Sequence, residues 1–310
     1  MKKYLIIFIQ FFSATCFSQN MLTTFEKSNG TETTQYLQCI SFYEELAAKY
    51  SHVIHIKNFD STDAGYPLQL VIYNSNKNFS PADAHKKGNV VILINNGIHP
   101  GEPDGIDASM MLMRDMATGK IKVPINIFFA VIPVYNIGGS LNRGTTRVNQ
   151  DGPTSYGFRG NSQNLDLNRD FIKCDSKDAQ AFTKIFHWLN PDILIDTHVS
   201  DGADYQHVFT VVTSLYNKLG GPIGEYLHNR FEPALFKSMH EKNIEAIPYV
   251  NVEDNPSDGW TAFYESPRYS SGYAALFQTM SFMSETHMLK PFKDRVLSTY
   301  ASLQSSIETA

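Results

Sequence analysis

Three short apolar runs constrain this chain more than any other feature: those within "VVILIN" (residues 90–95), "INIFFAVI" (125–132) and "DILID" (192–196), where the continuous apolar stretches are 90–94, 127–132 and 193–195. A strand that is apolar at every position has no polar face to show to water, so helices must cover both sides of its sheet. The intervening segments supply them. "GIDASMMLMRDMAT" places Ile106, Met110, Met111 and Met113 on one helical face, and "SKDAQAFTKIFHWLN" opens on Ser176 as a capping residue. "HVIHI" and "LQLVIY" read as an early strand pair, and "HVFTVVT", "IEAIPYVNV" and "FQTMSFMSE" as later strands. Further helices run through "PIGEYLHNRFEPALFKSMH" and from Pro291 onward. The expected fold is α/β: a doubly wound, largely parallel (mixed) sheet with helices on both faces.

The N-terminus carries a separate signal. Lys2 and Lys3, an apolar run from Tyr4 to Phe12 and small residues ending at Ser18 have the layout of a secretory signal peptide. We therefore read residues 1–18 as that signal and 19–310 as one domain of an exported protein, periplasmic or secreted. The apolar run is too short to span a bilayer, and no second long one follows, so no membrane span is expected. Thr15 and Phe17 on either side of Cys16 fit a lipid-attachment site poorly, which argues against a lipoprotein. Cys39 and Cys174 remain and are read as free thiols. A net charge of -5 without any polybasic stretch leaves no footprint for nucleic acid or a lipid surface. Helical spacing persists to residue 310 without a terminating Gly or Pro, as expected of a chain that continues. Oligomeric state leaves no mark on the sequence.

Buried runs in this chain end in chemistry. "VVILINNGIHPGE" ends in His99 and Glu102, "DILIDTH" in His198 and "FQTMSFMSE" in Glu285. A strand that only needed to stop could do so with Asn-Gly alone. Ligands of open α/β sheets bind outside the carboxyl ends of the strands, so three parallel strands would bring these tips to one rim. Two imidazoles and a carboxylate are the donor set of a catalytic zinc site with an open position. One Zn2+ per chain is expected, held by His99, Glu102 and His198. Zinc there would acidify a water molecule and polarise a carbonyl. Glu285 is then the general base that takes the water's proton and passes it to the leaving amine, with His287 on the same strand face as a competitor.

The longest aperiodic stretch, residues 136–175, supplies further polar groups, and loops of this length are usually functional. It holds Arg143 and Arg147, then Asp166, Asn168 and Arg169 in "NLDLNRDF". Arginine forks bind carboxylates bidentately. A cluster of them beside a metal points to a substrate with a carboxylate next to the bond being cut. Asp166 suits a second role, accepting the far N–H of a zinc-bound histidine.

"GIHPGE", "DTH", "DLNRDF" and the late "SET" together resemble the zinc carboxypeptidases, the funnelin metallopeptidases, over most of the chain. The resemblance implies their fold and their chemistry: an H-x-x-E and a distal His on zinc, matching His99, Glu102 and His198. It also implies Asp166 behind a ligand, Asn168 and Arg169 on the substrate's terminal carboxylate, and Glu285 as the catalytic carboxylate. An arginine upstream that polarises the scissile carbonyl matches Arg147, with Arg143 in reserve. The family's substrate-capping tyrosine matches Tyr269 in "PRYSSGY", with Tyr264 and Tyr273 as rivals, although Tyr269 stands close to Glu285 for that role. The span from Glu102 to His198 is shorter than in digestive carboxypeptidases, which implies trimmed loops around the pocket.

The reading is therefore an exported, zinc-dependent metallocarboxypeptidase-like hydrolase acting on a peptide or acyl amino acid with a free carboxylate. An N-acyl amino acid deacylase of the aspartoacylase or succinylglutamate desuccinylase type shares G-x-H-x-x-E and D-L-N-R segments; "YSSGY" tips the balance to the peptidase. A non-catalytic binding module on the same fold would be expected to have lost the base, the clamp or a ligand, and none is missing. Arg159 is read as a surface residue pairing with loop acids, Trp188 and Trp260 as core, and Asp201 and Asp204 as turn residues or as partners for a basic substrate group.

Overall fold

A computed structural model describes residues 21–147, 149–252 and 255–310; the segment read as an export signal lies outside them. Ten strands are present among these residues: β1 (Ile54–Ser61), β2 (Pro67–Tyr73), β3 (Val90–Asn95), β4 (Ile127–Ile132), β5 (Ile193–Ser200), β6 (Phe209–Thr213), β7 (Ala246–Pro248), β8 (Val250–Asn251), β9 (Thr261–Ala262) and β10 (Met280–His287). Eight of them form one sheet in the order β1-β2-β4-β3-β5-β10-β6-β7, while β8 and β9 make a separate hairpin. The centre, β4-β3-β5-β10, is parallel, and antiparallel pairings lie outside it. This is the mixed, mostly parallel sheet that the apolar runs require.

The longer helices are α1 (Tyr36–Lys49), α2 (Asp104–Ala117), α3 (Lys177–Leu189), α4 (Glu232–Glu241) and α5 (Phe292–Thr309). Alternation along the central strands divides the apolar side chains between two cores. Ile92, Ile94 and Ile195 face α1, α2 and α5, whereas Val91, Leu93 and Leu194 face α3 with its Phe182, Ile185 and Phe186. Each side chain fully buried in this way contributes about 1.5–3 kcal/mol. Ser176 caps α3 by accepting from Ala179 N–H, as its position in the sequence predicts.

Two expectations fail locally. "IEAIPYVNV" is not one strand. β7 ends at Pro248; the Tyr249 N–H makes a last bond to Val211 O (2.9 Å) and the chain then leaves the sheet into the β8–β9 hairpin. Trp260 is not core: it is 67% exposed on that hairpin. The helix expected through residues 222–240 is present from Gly221 to Glu241, its ladder widened by one turn at Leu227–Phe231 next to Pro233, which cannot donate to the preceding turn. Cys39 and Cys174 are both free, as expected.

Candidate active site and metal centre

Because β3, β5 and β10 are parallel neighbours, their carboxyl ends meet on one rim. Register does the fine placement: Glu285 lies opposite His198, and Asn95 opposite Asp196. The two asparagines that end β3 have separate tasks. Asn95 donates to Asp196 Oδ1 (3.0 Å), while Asn96 takes the Thr197 hydroxyl (3.0 Å) and donates to Ser109 of α2. Gly97 then turns the chain at φ +66°. Close approach at the root of α2 requires Gly105, since a Cβ there would meet Thr197 Oγ1 at 2.0 Å. The turn carrying His99 and Glu102 is thereby clamped against the strand carrying His198.

One ligand atom from each of His99, Glu102 and His198 lies within 4.8 Å of the others, and all three residues are buried. His99 Nε2 lies 3.0 Å from Asp166 Oδ1, and His198 Nε2 lies 3.0 Å from Asp196 Oδ2. Each imidazole gives one N–H to a carboxylate and turns Nδ1 inward, the arrangement expected behind a metal ligand. His99 Nδ1 is buried near Glu102 Oε1 (3.2 Å) without a hydrogen-bond partner, and His198 Nδ1 is 3.1 Å from Glu102 Oε2. An orphaned inward nitrogen within a two-imidazole, one-carboxylate set fits zinc. Burial alone would push the Glu102 carboxyl up, but His99 and Arg147 hold it well below the usual range. Asp166 is held low in the same way by His99, Arg159 and Arg169.

Two cavities flank this triad. The smaller, about 140 Å³, is lined by Asn168, Arg169, Tyr249, Phe263, Tyr269, Val212, Met283 and Glu285 as well as the triad's histidines and Glu102. The larger, about 420 Å³, continues past His99 and Glu102 along Thr146, Arg147, Phe158 and Met288. Arg159 and Asp201 line both. Burial pushes the Glu285 carboxyl up to about 7, with the His198 charge opposing and that of Glu102 adding to the rise. Arg169 donates to Asn168 O (2.7 Å) and lies 4.7 Å from the Tyr269 ring centre. The Asn168 side-chain oxygen is buried without a partner. The amide is thus uncommitted and, with its ends interchangeable in placement, can turn its NH2 toward a carboxylate.

The structure gathers His99, Glu102, His198, Asp166, Asn168, Arg169, Glu285, Arg147 and Tyr269 around the cleft. Arg143 does not join them. It lines a different cavity with Glu32, Thr33 and Thr154, because the Gly144–Tyr156 bridge turns the loop between it and Arg147. Tyr264 is exposed beside Lys218, and Tyr273 is buried against His187, so neither rival of Tyr269 lines the cleft. His287 faces Gly202 O with one nitrogen and the Leu289 N–H with the other, away from the cleft. Asp204 pairs with Lys290. Arg159 is half-exposed and pairs with a loop acid, as its reading has it, but its place on the cleft and that of Tyr249 were missed. Arg159 pairs with Asp166 (3.0 Å) and sits 3.5 Å from Glu102, and Tyr249 walls the smaller cavity. Nothing local in the sequence marks Arg159 beyond its place in the same aperiodic loop.

A sheet whose strand tips offer a His-Glu-His set beside an arginine clamp defines a metallohydrolase. The profile of the zinc carboxypeptidase family matches residues 39–192, a span that includes His99, Glu102, Asp166, Asn168 and Arg169. The chain belongs to that family and is a zinc metallopeptidase of carboxypeptidase type. His198 and Glu285 lie beyond the matched span and stand on geometry. Among solved structures, a metallo-carboxypeptidase from Burkholderia cenocepacia has a TM-score of 0.65 at 15% identity, covering 88% of this chain and 68% of that one. Carboxypeptidase A from Helicoverpa armigera gives 0.62 at 13% identity, with 89% and 73% covered. Bovine thrombin-activatable fibrinolysis inhibitor gives 0.59 at 13%, with 90% and 97% covered. At such identities the likeness shows the fold. No curated protein sequence matches the chain.

Proposed function

We propose that this protein is an exported carboxypeptidase that removes the C-terminal residue of a peptide. The observation that carries the reading is that Glu285, Asn168 and Arg169 line the same small cavity as the donor triad. His99, Glu102 and His198 would hold the zinc, which when bound would supply an acidified water and a polarised carbonyl. Asn168 and Arg169 bind the terminal carboxylate, and Tyr269, over the Arg169 guanidinium, closes that side. Glu285 takes the proton of the attacking water and hands it to the leaving nitrogen, a role its place in the same cavity as the donor triad allows. Arg147 and Arg159, both beside Glu102, stabilise the oxygen that gains charge.

The unequal cavities support a peptide over a simple acyl amino acid: the larger space lies on the side away from the clamp, where the rest of a peptide would run. Purified protein should cleave an N-blocked dipeptide faster than an N-acetyl or N-succinyl amino acid. The reverse ranking would make it a deacylase. Glu285→Gln should lower turnover by roughly 10²–10⁴-fold while zinc stays bound; near-native turnover would remove Glu285 from this role. Export through residues 1–18 is part of the proposal, and a mature N-terminus near residue 19 on sequencing the exported protein would support it.

A further inference from the structure

The aromatic wall of the small cavity stands on the β8–β9 excursion, with Tyr249 just before β8 and Phe263 just after β9. Its rings form a continuous row: Tyr249 to Phe263 at 6.3 Å and Phe263 to Tyr269 at 5.1 Å between centres. Both feet of the excursion are fixed by polar groups. At the second foot, fully buried Glu265 accepts from the Leu215 N–H (3.0 Å) and pairs with Lys218 (3.2 Å). At the first foot, the Tyr205 hydroxyl donates to Val250 O (2.7 Å) and accepts from Val250 N–H (3.1 Å). That hydroxyl satisfies both backbone groups of the residue next to Tyr249.

Tyr205 belongs to the loop that follows β5, the strand carrying His198. Its two bonds therefore tie the wall to the same element that delivers a metal ligand. We propose that Tyr205 is a specificity-positioning residue: it sets the distance between the bond being cut and an apolar wall that holds the side chain of the substrate's C-terminal residue. This rests on the carboxypeptidase reading above. The lining chemistry names the substrate class. Val212 and Met283 are buried at the floor, the walls are Tyr249, Phe263 and Tyr269, and the acidic group at the mouth, Asp201, lies 3.8 Å from Arg147. Aromatic or aliphatic C-terminal residues are favoured over lysine, arginine or glycine.

Tyr205→Phe keeps the ring and removes only the two bonds. With an N-blocked dipeptide ending in phenylalanine, the variant should raise KM roughly tenfold, the scale of two hydrogen bonds only partly expressed in binding, with kcat little changed. With the same dipeptide ending in glycine, which has no side chain to meet the wall, both constants should stay as in the wild type. Hydrogen exchange, read by mass spectrometry on the segment around Val250, should quicken in the variant. Tyr249→Ala and Phe263→Ala should erase the preference for phenylalanine over glycine. Equal losses on the two substrates would mean a merely structural role and overturn the proposal. Unchanged exchange at Val250 would overturn it whichever substrate is cleaved. Wild-type protein that cleaves neither peptide would instead bring down the carboxypeptidase reading, an outcome that the exchange measurement keeps separate from failure of the pin.

Discussion

Carboxylates are buried at two places only a few residues apart, and they meet opposite fates. On the strand-tip rim, buried Glu102 and half-buried Asp166 face imidazoles and guanidinium groups, and both are held well below the usual carboxylate range. One turn into α2, Asp107 is buried like Glu102, but its partners are the hydroxyls of Thr33 and Thr34 and a backbone N–H; burial pushes it up to about 6. Hydroxyls satisfy a carboxylate's hydrogen bonds without offsetting the loss of hydration of its charge. The difference separates a charge that the site requires from a polar tether that the fold tolerates. Glu285 stands between the two, with charges of both signs around it, and is pushed up to about 7.

The comparison breaks most visibly if a rim imidazole is removed. His99→Ala takes away an inward nitrogen and the N–H that Asp166 accepts. Elemental analysis should find about one zinc per wild-type chain and close to none in the variant, with turnover falling to background. Zinc retained in the variant would place the metal elsewhere and undo the donor set.

A milder cut leaves the ligands and neutralises the groups behind them. Asp166→Asn and Asp196→Asn should each weaken zinc affinity by roughly 10–100-fold, as is typical when the partner of a ligating histidine is changed. Competition with a chromogenic chelator measures this directly. The Asp196 variant sharpens the contrast further, because Asn95 already donates to that carboxylate and would face an amide. If neither variant moves the affinity, the paired carboxylates orient nothing, and the rim differs from α2 only in composition.

Much of the rim was legible in the sequence, because the residues that need it are punctuated by the strands that deliver it. An apolar run such as residues 90–95 has one physical solution, a strand covered on both faces, and the polar residues that follow must appear at its end. His99, Glu102, His198 and Glu285 were readable for that reason. Arg159 and Tyr249 were not. Their positions depend on how an aperiodic loop and a hairpin fold back over the sheet, and such contacts leave no period to detect. Arg143 misled because it is chemically equivalent to Arg147; the bridge between Gly144 and Tyr156 separates them, and no residue type announces it. Pro248 is the last residue of β7, and a proline inside a strand-like run is a sign of an edge strand or of a strand's end.

The smallest expected effect is on α2 and leaves activity alone. Asp107 has a folded pKa of about 6, above an unfolded value near 3.8. The folded state therefore binds the proton more tightly. The stability this contributes is complete below about pH 4 and is lost as the pH rises through 6. Its full extent is on the order of 2–3 kcal/mol, at 1.36 kcal/mol per pKa unit. Asp104 is also raised, by burial that its partners Arg295 and Thr286 offset only in part, and Asp178 rises to about 6, so the wild-type slope is a sum. Asp107→Asn removes one share of it. The amide still accepts from one threonine hydroxyl, and the other hydroxyl can rotate to accept from its NH2. Denaturant unfolding of the metal-free proteins at pH 4.5 and 7.5 should show a shallower loss of stability in the variant, and zinc affinity at neutral pH should be unchanged. An unchanged slope would mean that the hydroxyls hold Asp107 ionised as effectively as the imidazole and guanidinium groups hold the rim, and the distinction between the two regions would fall.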